Sequence, residues 1–247
     1  MADQPLVPPA FAQRRTWYLR GCLGVVSIPG LILVSAFIGF ASLAKGAGLT
    51  LGQSVFMTGA VWALPAQVVL VGAILAGISL PGAAFAVALS SVRLMPMVVA
   101  LMPELKGSRT PRWVMYGLSH FVAVTSWVLA MENFRRVPRD LRTSYYFGLG
   151  STLTIINMIV VAVFFTVADS LPSAVSAALL LVTPVYFLGS LWGSAREKAT
   201  YFALLSGMAL GPAFHILIPR FDLVAAGLVG GGGAYAVHRM QILRMRS

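Results

Sequence analysis

Residues 46–92 read GAGLTLGQSVFMTGAVWALPAQVVLVGAILAGISLPGAAFAVALSSV and hold no Asp, Glu, Lys or Arg. A helix that crosses a bilayer needs about 20 apolar residues, so this one stretch is long enough for two. Working outward, residues 21–44, 113–131, 143–168, 170–195, 199–219 and 223–237 are also free of these charges. The chain has 247 residues, of which 58% are AVILMFWYC and 10% are charged. Its mean hydropathy is +0.86. A soluble domain carries about 25% charged residues, and a single soluble core of this size cannot hide so much apolar surface. The expected fold is therefore all-α, a polytopic integral membrane protein with seven to eight apolar segments. They fall near residues 21–44, 52–77, 81–103, 113–131, 144–168, 171–193, 199–218 and 222–238. No long linker or low-complexity tract divides the chain, so residues 1–247 read as one integral membrane domain.

The charges lie between these segments. There are 18 Lys+Arg against 7 Asp+Glu, a net charge of +11. In a soluble protein that balance would suggest nucleic acid. Here the basic residues flank apolar segments, where they orient the chain and face anionic lipid, and no nucleic-acid partner is expected. The one cysteine, Cys22, excludes an internal disulfide and a cysteine-based metal cluster. The N-terminus is polar and proline-rich, with no small-residue cleavage site after its first apolar run, and reads as retained.

An internal repeat is expected. SSVRLMPMVVALMP (residues 90–103) and SGMALGPAFHILIP (residues 206–219) agree at Ser90/Ser206, Leu94/Leu210, Pro96/Pro212, Leu101/Leu217 and Pro103/Pro219. Pro65 has a rough counterpart in Pro184. This register gives one half at about 21–103, a linking segment at 113–131, a second half at about 144–218 and a terminal segment at 222–238. Two related halves around a central site, built on proline-broken helices, is a transporter plan.

Two topologies fit this register. If every segment crosses, loop 104–112 falls outside and the Arg-rich loop 132–142 inside. If the segments of Pro65 and Pro184 turn back, loop 104–112 returns inside, and Arg135, Arg136, Arg139 and Arg142 fall outside. Each strands one basic loop against the positive-inside rule. Both leave the N- and C-termini in the cytoplasm.

Arg93 is the one Asp, Glu, Lys or Arg within an apolar segment. Such residues line pathways or pair with something, and guanidinium geometry suits a carboxylate. The plainer readings are an Arg bonded to backbone freed near Pro96, or one that snorkels from a segment end. Pro65 removes a backbone donor and exposes the Val61 carbonyl in mid-segment. Gln67 then offers an amide beside unwound backbone, for substrate or merely for a neighbouring helix. Ser90 and Ser91 lie just before Arg93, and Tyr186, Ser206 and His215 are the polar positions of the second half. His215 or His120 suits proton relay, although a neutral His bonded inside a bundle is the commoner case. Thr125, Ser126 and Asn157 read mostly as interhelical glue. Trp17, Tyr18, Trp113, Tyr145 and Tyr146 read as interfacial anchors. Enzyme signatures are missing: there is no H-E-x-x-H, P-loop, G-x-S-x-G or intramembrane carboxylate pair, and no cofactor motif.

GLTLGQSVFMTGAVWALPAQVVLVGAIL resembles the second-segment signature of the AzlC family of branched-chain amino-acid permeases. Gln67 falls on that family's Gln, and Leu64-Pro65-Ala66 replaces its usual small residues. ALSSVRLMPMVVALMPELKG resembles its Asn-Leu-Arg-His segment, with Arg93 on the Arg. Ser91 stands at the Asn position and Leu94 at the His position, so the chain departs there. Many members carry an Asp-Glu pair in the fourth segment, where this chain has Val124 and Thr125. The resemblance implies efflux of branched-chain amino acids across a bacterial inner membrane, aided by a small AzlD-type membrane partner. The glycine-rich stretch Gly230–Gly233 is a candidate docking face for it, or simply a packing face within the chain. A non-transporting scaffold subunit and, further off, an intramembrane lipid enzyme are the alternatives.

Overall fold

The computed structural model describes residues 11–107, 110–170, 172–194, 198–218 and 225–246. Among these residues the secondary structure is entirely helical. Three helical stretches are long and apolar enough to cross a membrane: Ile28–Gly46, Leu80–Leu105 and Arg139–Ser170. We name the helices α1 (Phe11–Cys22), α2 (Ile28–Gly46), α3 (Leu51–Ala60), α4 (Leu64–Leu75), α5 (Leu80–Ser91), α6 (Met95–Leu105), α7 (Arg112–Ser119), α8 (Val124–Asn133), α9 (Arg142–Val167), α10 (Ser173–Ser194), α11 (Lys198–Leu217) and α12 (Gly232–Arg246). A 3-10 turn, Val92–Leu94, joins α5 to α6 in one helical path, and a π turn, Gly227–Gly231, leads into α12.

The long helix α9 is the axis of the fold. Its small residues Gly148, Gly150 and Ser151 admit close neighbours, and its apolar residues Leu149, Leu153 and Val161 are buried with Tyr146. Helices α1, α2 and α3 pack directly on it. Phe37 and Phe40 of α2 and Leu101 and Leu105 of α6 complete the central core.

The two ends of α9 locate every connection. At its C-terminal end Asp169 meets Lys45 at the end of α2, 2.7 Å away. At its N-terminal end Arg142 pairs with Glu104 at the end of α6. Arg142 also donates to the Phe134 and Val137 carbonyls after α8. Arg139 donates to the carbonyls of Pro103 and Lys106. The basic loops 104–112 and 132–142 are therefore bonded to each other. Both topologies expected from the sequence put them on opposite sides of the membrane, and this contact overturns both.

The reason is that two apolar segments are each broken midway and folded back on themselves. The segment expected at 113–131 is two half helices, α7 and α8, broken at His120–Ala123. Both of its outer ends lie at the Arg142 end of the molecule. The segment expected at 52–77 is likewise two half helices, α3 and α4, broken at Val61–Ala63. Its outer ends lie at the Asp169 end. There α3 follows α2, and α4 leads through a short turn into the continuous path Leu80–Leu105, whose far end reaches Arg142. Both turns at this end close on a glycine in the left-handed region, Gly48 after α2 and Gly77 after α4. In each, a later amide bonds back into the last helical turn: Leu49 to the Ala44 carbonyl, and Ile78 to that of Ala73. A second residue with a side chain would be strained at either glycine.

The fold thus holds two re-entrant hairpins that enter from opposite ends. Their tips meet α9 near its middle: Gly59 lies against Met158, and Phe121 against Gly150. Helix α10 packs on α2 through Gly39 against Ser176 and Leu180, and α11 packs on α12 and the π turn. Pro96 sits in the first turn of α6, where proline is tolerated, whereas Pro212 lies inside α11.

Candidate functional site: the crossing of two broken helices

The first break follows from Pro65. Proline has no amide hydrogen to give to the carbonyl four residues back, which is that of Val61. The Val61 carbonyl is satisfied in another way: Gln67 Nε2 donates to it at 2.7 Å, and the Ala63 amide donates at 2.7 Å. Gln67 is completely buried, and its Oε1 has no hydrogen-bond partner among the described residues. Pro65 itself is exposed on the first turn of α4.

The second break is built on the same plan with different residues. Ser126 Oγ donates to the Phe121 carbonyl at 2.6 Å and accepts from the Ala123 amide at 3.0 Å. It therefore caps the start of α8 as Gln67 closes the start of α4. Ser126 is completely buried and Thr125 nearly so. The Tyr146 hydroxyl of α9 lies 3.4 Å from Ser126 Oγ.

The two breaks are joined to each other. Trp62 Nε1 donates to the Phe121 carbonyl at 3.1 Å. His120 Nε2 lies 2.9 Å from the Gly59 carbonyl. Each hairpin tip thus gives one ring donor and one backbone acceptor to the other. Trp62 also stacks on Phe37 of α2, ring centroids 6.1 Å apart and nearly parallel. Trp127 Nε1 and Asn157 Oδ1 are further buried polar atoms without a partner among the described residues. Buried polar atoms left unpaired are uncommon in folded proteins, and each asks for an explanation.

Helices α4 and α5 form an antiparallel hairpin, so Ser90 and Ser91 come level with the first turn of α4. Ser90 is buried, and Ser91 donates back to the Val87 carbonyl at 2.8 Å. Arg93 follows on the 3-10 turn, at the depth of the Val61–Ala63 break. Its side chain is exposed, on the least buried of the three long apolar helices.

The second-half residues lie elsewhere. Ser206 is on α11, donates to the Ala203 carbonyl and faces Gly230 of the π turn. His215 is exposed near the end of α11. Tyr186 is on α10, and its side chain lies outside the described residues. The structure therefore places Pro65 and Gln67 at one break, puts Ser90, Ser91 and Arg93 on the helical path that packs beside α4, and keeps Ser206 and His215 on the α11–α12 pair.

Sequence reasoning missed Trp62, Phe121 and the role of His120 and Ser126. The available signal was a second small-residue break, Ala123-Val124-Thr125-Ser126, parallel to Ala63-Leu64-Pro65-Ala66 but without a proline to mark it.

Comparison with known proteins adds one positive finding. Residues 29–171, more than half of the chain, match the family model described as AzlC protein. The match begins at α2 and ends just after α9, so it takes in both re-entrant hairpins and the axis between them. No curated protein and no solved structure matches the chain.

Proposed function

The chain belongs to the AzlC family, a membrane transport family, and from that premise we propose that it is a secondary transporter exporting branched-chain amino acids from a bacterial cytoplasm. The observation that carries this reading is the meeting of two re-entrant hairpin tips midway along α9, beside a buried Gln67 Oε1 with no partner among the described residues. Irregular backbone at membrane depth belongs where it lines a cavity or is enclosed by protein. Half helices that end in mid-membrane leave backbone dipoles for a charged solute.

In this reading Arg93 holds the substrate carboxylate. Gln67 Oε1 accepts a hydrogen bond from the ammonium, and Pro65 keeps the backbone open beside it. Ser90 and Ser91 border the same level, whereas Ser206 and His215, on the separate α11–α12 pair, have no part in this site. The apolar walls accept a branched side chain. A small AzlD-type membrane partner covers exposed surface. Gly231, Gly232 and Gly233 have open space where a side chain would be, which suits close helix docking.

The distribution of basic residues supports one orientation. With both hairpins re-entrant, Lys106, Arg112, Arg135, Arg136, Arg139 and Arg142 all gather at one end. Lys45 is the one Lys or Arg among the described residues of the opposite turns. We place the Arg142 end in the cytoplasm of the inner membrane, together with both termini, and no basic loop is then stranded.

The test is counterflow of labelled amino acids in proteoliposomes, with and without a co-expressed small partner. Leucine, valine and isoleucine should exchange. Arg93→Ala should abolish exchange in correctly inserted protein, and Arg93→Lys should impair it because a point charge cannot bind a carboxylate through two donors. Wild-type exchange by Arg93→Ala would remove Arg93 from the site. A chain that never exchanges, and whose partner is lost on substitution of Gly231–Gly233, would favour the scaffold reading.

A further inference from the structure

Where the two hairpin tips meet, one side chain can change its charge near neutral pH. His120 closes the last turn of α7, and its Nε2 faces the Gly59 carbonyl in the last turn of α3. A carbonyl only accepts, so Nε2 carries the hydrogen in this bond, and Nδ1 is the basic atom of the neutral ring. The ring is exposed and lies edge-on to Phe121, with centroids 5.3 Å apart. The carbonyl ends of two half helices converge on it.

The ionisable surroundings are sparse. Helices α3 and α4 carry no ionisable side chain, and α9 carries none from Phe147 to Val167. On α7 itself Tyr116 stands one turn earlier and Arg112 two turns earlier. Tyr146 of α9 approaches Ser126 on the far side of the Phe121 carbonyl. Glu132 of α8, Glu104 of α6 and Arg142 and Tyr145 of α9 are all at the Arg142 end. Arg93 keeps its proton in any working pH range. His120 is thus the group at the crossing suited to load and release a proton.

We propose that His120 is the proton-binding residue of the transport cycle and that its proton controls the seating of one hairpin tip on the other. The inference rests on the transport reading above. A proton from water on one side of the membrane adds to Nδ1, giving an imidazolium in which both ring nitrogens donate. The Gly59 carbonyl then keeps its donor. Return of a proton to water on the other side regenerates the neutral ring. That ring can hold its single hydrogen on Nδ1 instead, which leaves the Gly59 carbonyl without this donor and lets the tips part.

Two measurements on the full chain test this. In the first, NMR of isotope-labelled histidine and tryptophan follows the purified protein through pH. One imidazole signal should change with pH in wild type and be missing from His120→Gln. The indole N–H of Trp62, bonded to the neighbouring Phe121 carbonyl, should move with the same midpoint in wild type and stay still in the variant. In the second, proteoliposomes compare leucine accumulation driven by a pH gradient with gradient-independent counterflow. The ratio should fall about tenfold or more in His120→Gln, a size expected for linkage between two ligands. A Trp62 signal that follows pH equally in the variant, or an unchanged ratio, overturns the proposal. If the wild type exchanges no amino acid, the transport reading fails and the NMR decides alone. A shared midpoint would keep His120 as the proton-controlled link between the tips, and no shared midpoint would remove it.

Discussion

A methyl group at Gly148 would run into the backbone carbonyl of Tyr18, and one at Gly21 into that of Tyr145. Both obstacles are backbone, which cannot swing aside as a flexible side chain does. Helices α1 and α9 approach this closely only because glycine stands at each contact. Gly148→Ala should therefore lower the melting temperature of the detergent-purified protein, with a loss of about 1–3 kcal/mol as for other overpacked cores. Gly117 is the control. It lies inside α7 with nothing near its missing Cβ. Gly117→Ala should be neutral or stabilise by up to about 1 kcal/mol through helix propensity. Equal shifts for the two variants would show that the α1–α9 contact is looser than described. Arg142 offers a second contrast. Its guanidinium donates to the carbonyls of Glu104, Phe134 and Val137 and pairs with Glu104. Lys45 makes one pair, with an Asp169 that is 82% exposed. Lys45→Met should cost at most about 1 kcal/mol. Arg142→Met leaves several carbonyls without their donor and should cost more, about 2–4 kcal/mol, read from the same melts.

At the scale of elements, each re-entrant hairpin depends on a side chain that replaces a backbone bond at its tip. Gln67 does this for Val61, and Ser126 does it for Phe121. The first was partly legible, since Pro65 leaves the Val61 carbonyl without its helical donor and Gln67 stands within reach. The second left only a weak trace in Ala123-Val124-Thr125-Ser126, because no proline marks it and a serine in an apolar run reads as interhelical glue. Nor could the hairpins be told from spans by hydropathy. Both halves of each hairpin are apolar, and the two together have the length of one crossing helix. What separates the two cases is contact between distant residues, such as Trp62 with Phe121 or Arg139 with Pro103, and a hydropathy window carries no such information. The tip contact makes a specific prediction. Trp62 Nε1 and Ser126 Oγ donate to one acceptor, the Phe121 carbonyl. Trp62→Phe and Ser126→Ala should each cost about 1 kcal/mol. Because they share that oxygen, the double variant should depart from the sum by about 0.5 kcal/mol or more. Strict additivity in thermal melts would mean that the two donors act on separate carbonyls.

For the whole molecule, the arrangement resolves a conflict in the charge pattern. Treating 52–77 and 113–131 as spans forces one of two Arg-rich loops to the wrong side. Turning both back brings loops 104–112 and 132–142 together, where Arg139 and Arg142 bond across them. The bonding partners in these loops belong to α6, the turn before α9 and the start of α9, so the contact is part of the fold rather than of a loop tip. The arrangement is directly measurable, since Cys22 is the one natural cysteine. In a Cys22→Ser background, Thr110→Cys and Arg135→Cys should react with a membrane-impermeant maleimide from the same side of sealed vesicles. Gly46→Cys and Ile78→Cys, at the end of α2 and in the turn after α4, should react from the opposite side. Labelling of Thr110→Cys and Arg135→Cys from opposite sides would restore a crossing helix at 113–131 and separate the loops. Labelling of Ile78→Cys together with Arg135→Cys would make α3–α4 a crossing segment and remove the first hairpin. The positive-inside rule adds the direction: the side that labels Arg135→Cys is the cytoplasm, so in right-side-out vesicles the reagent should reach it only after permeabilisation.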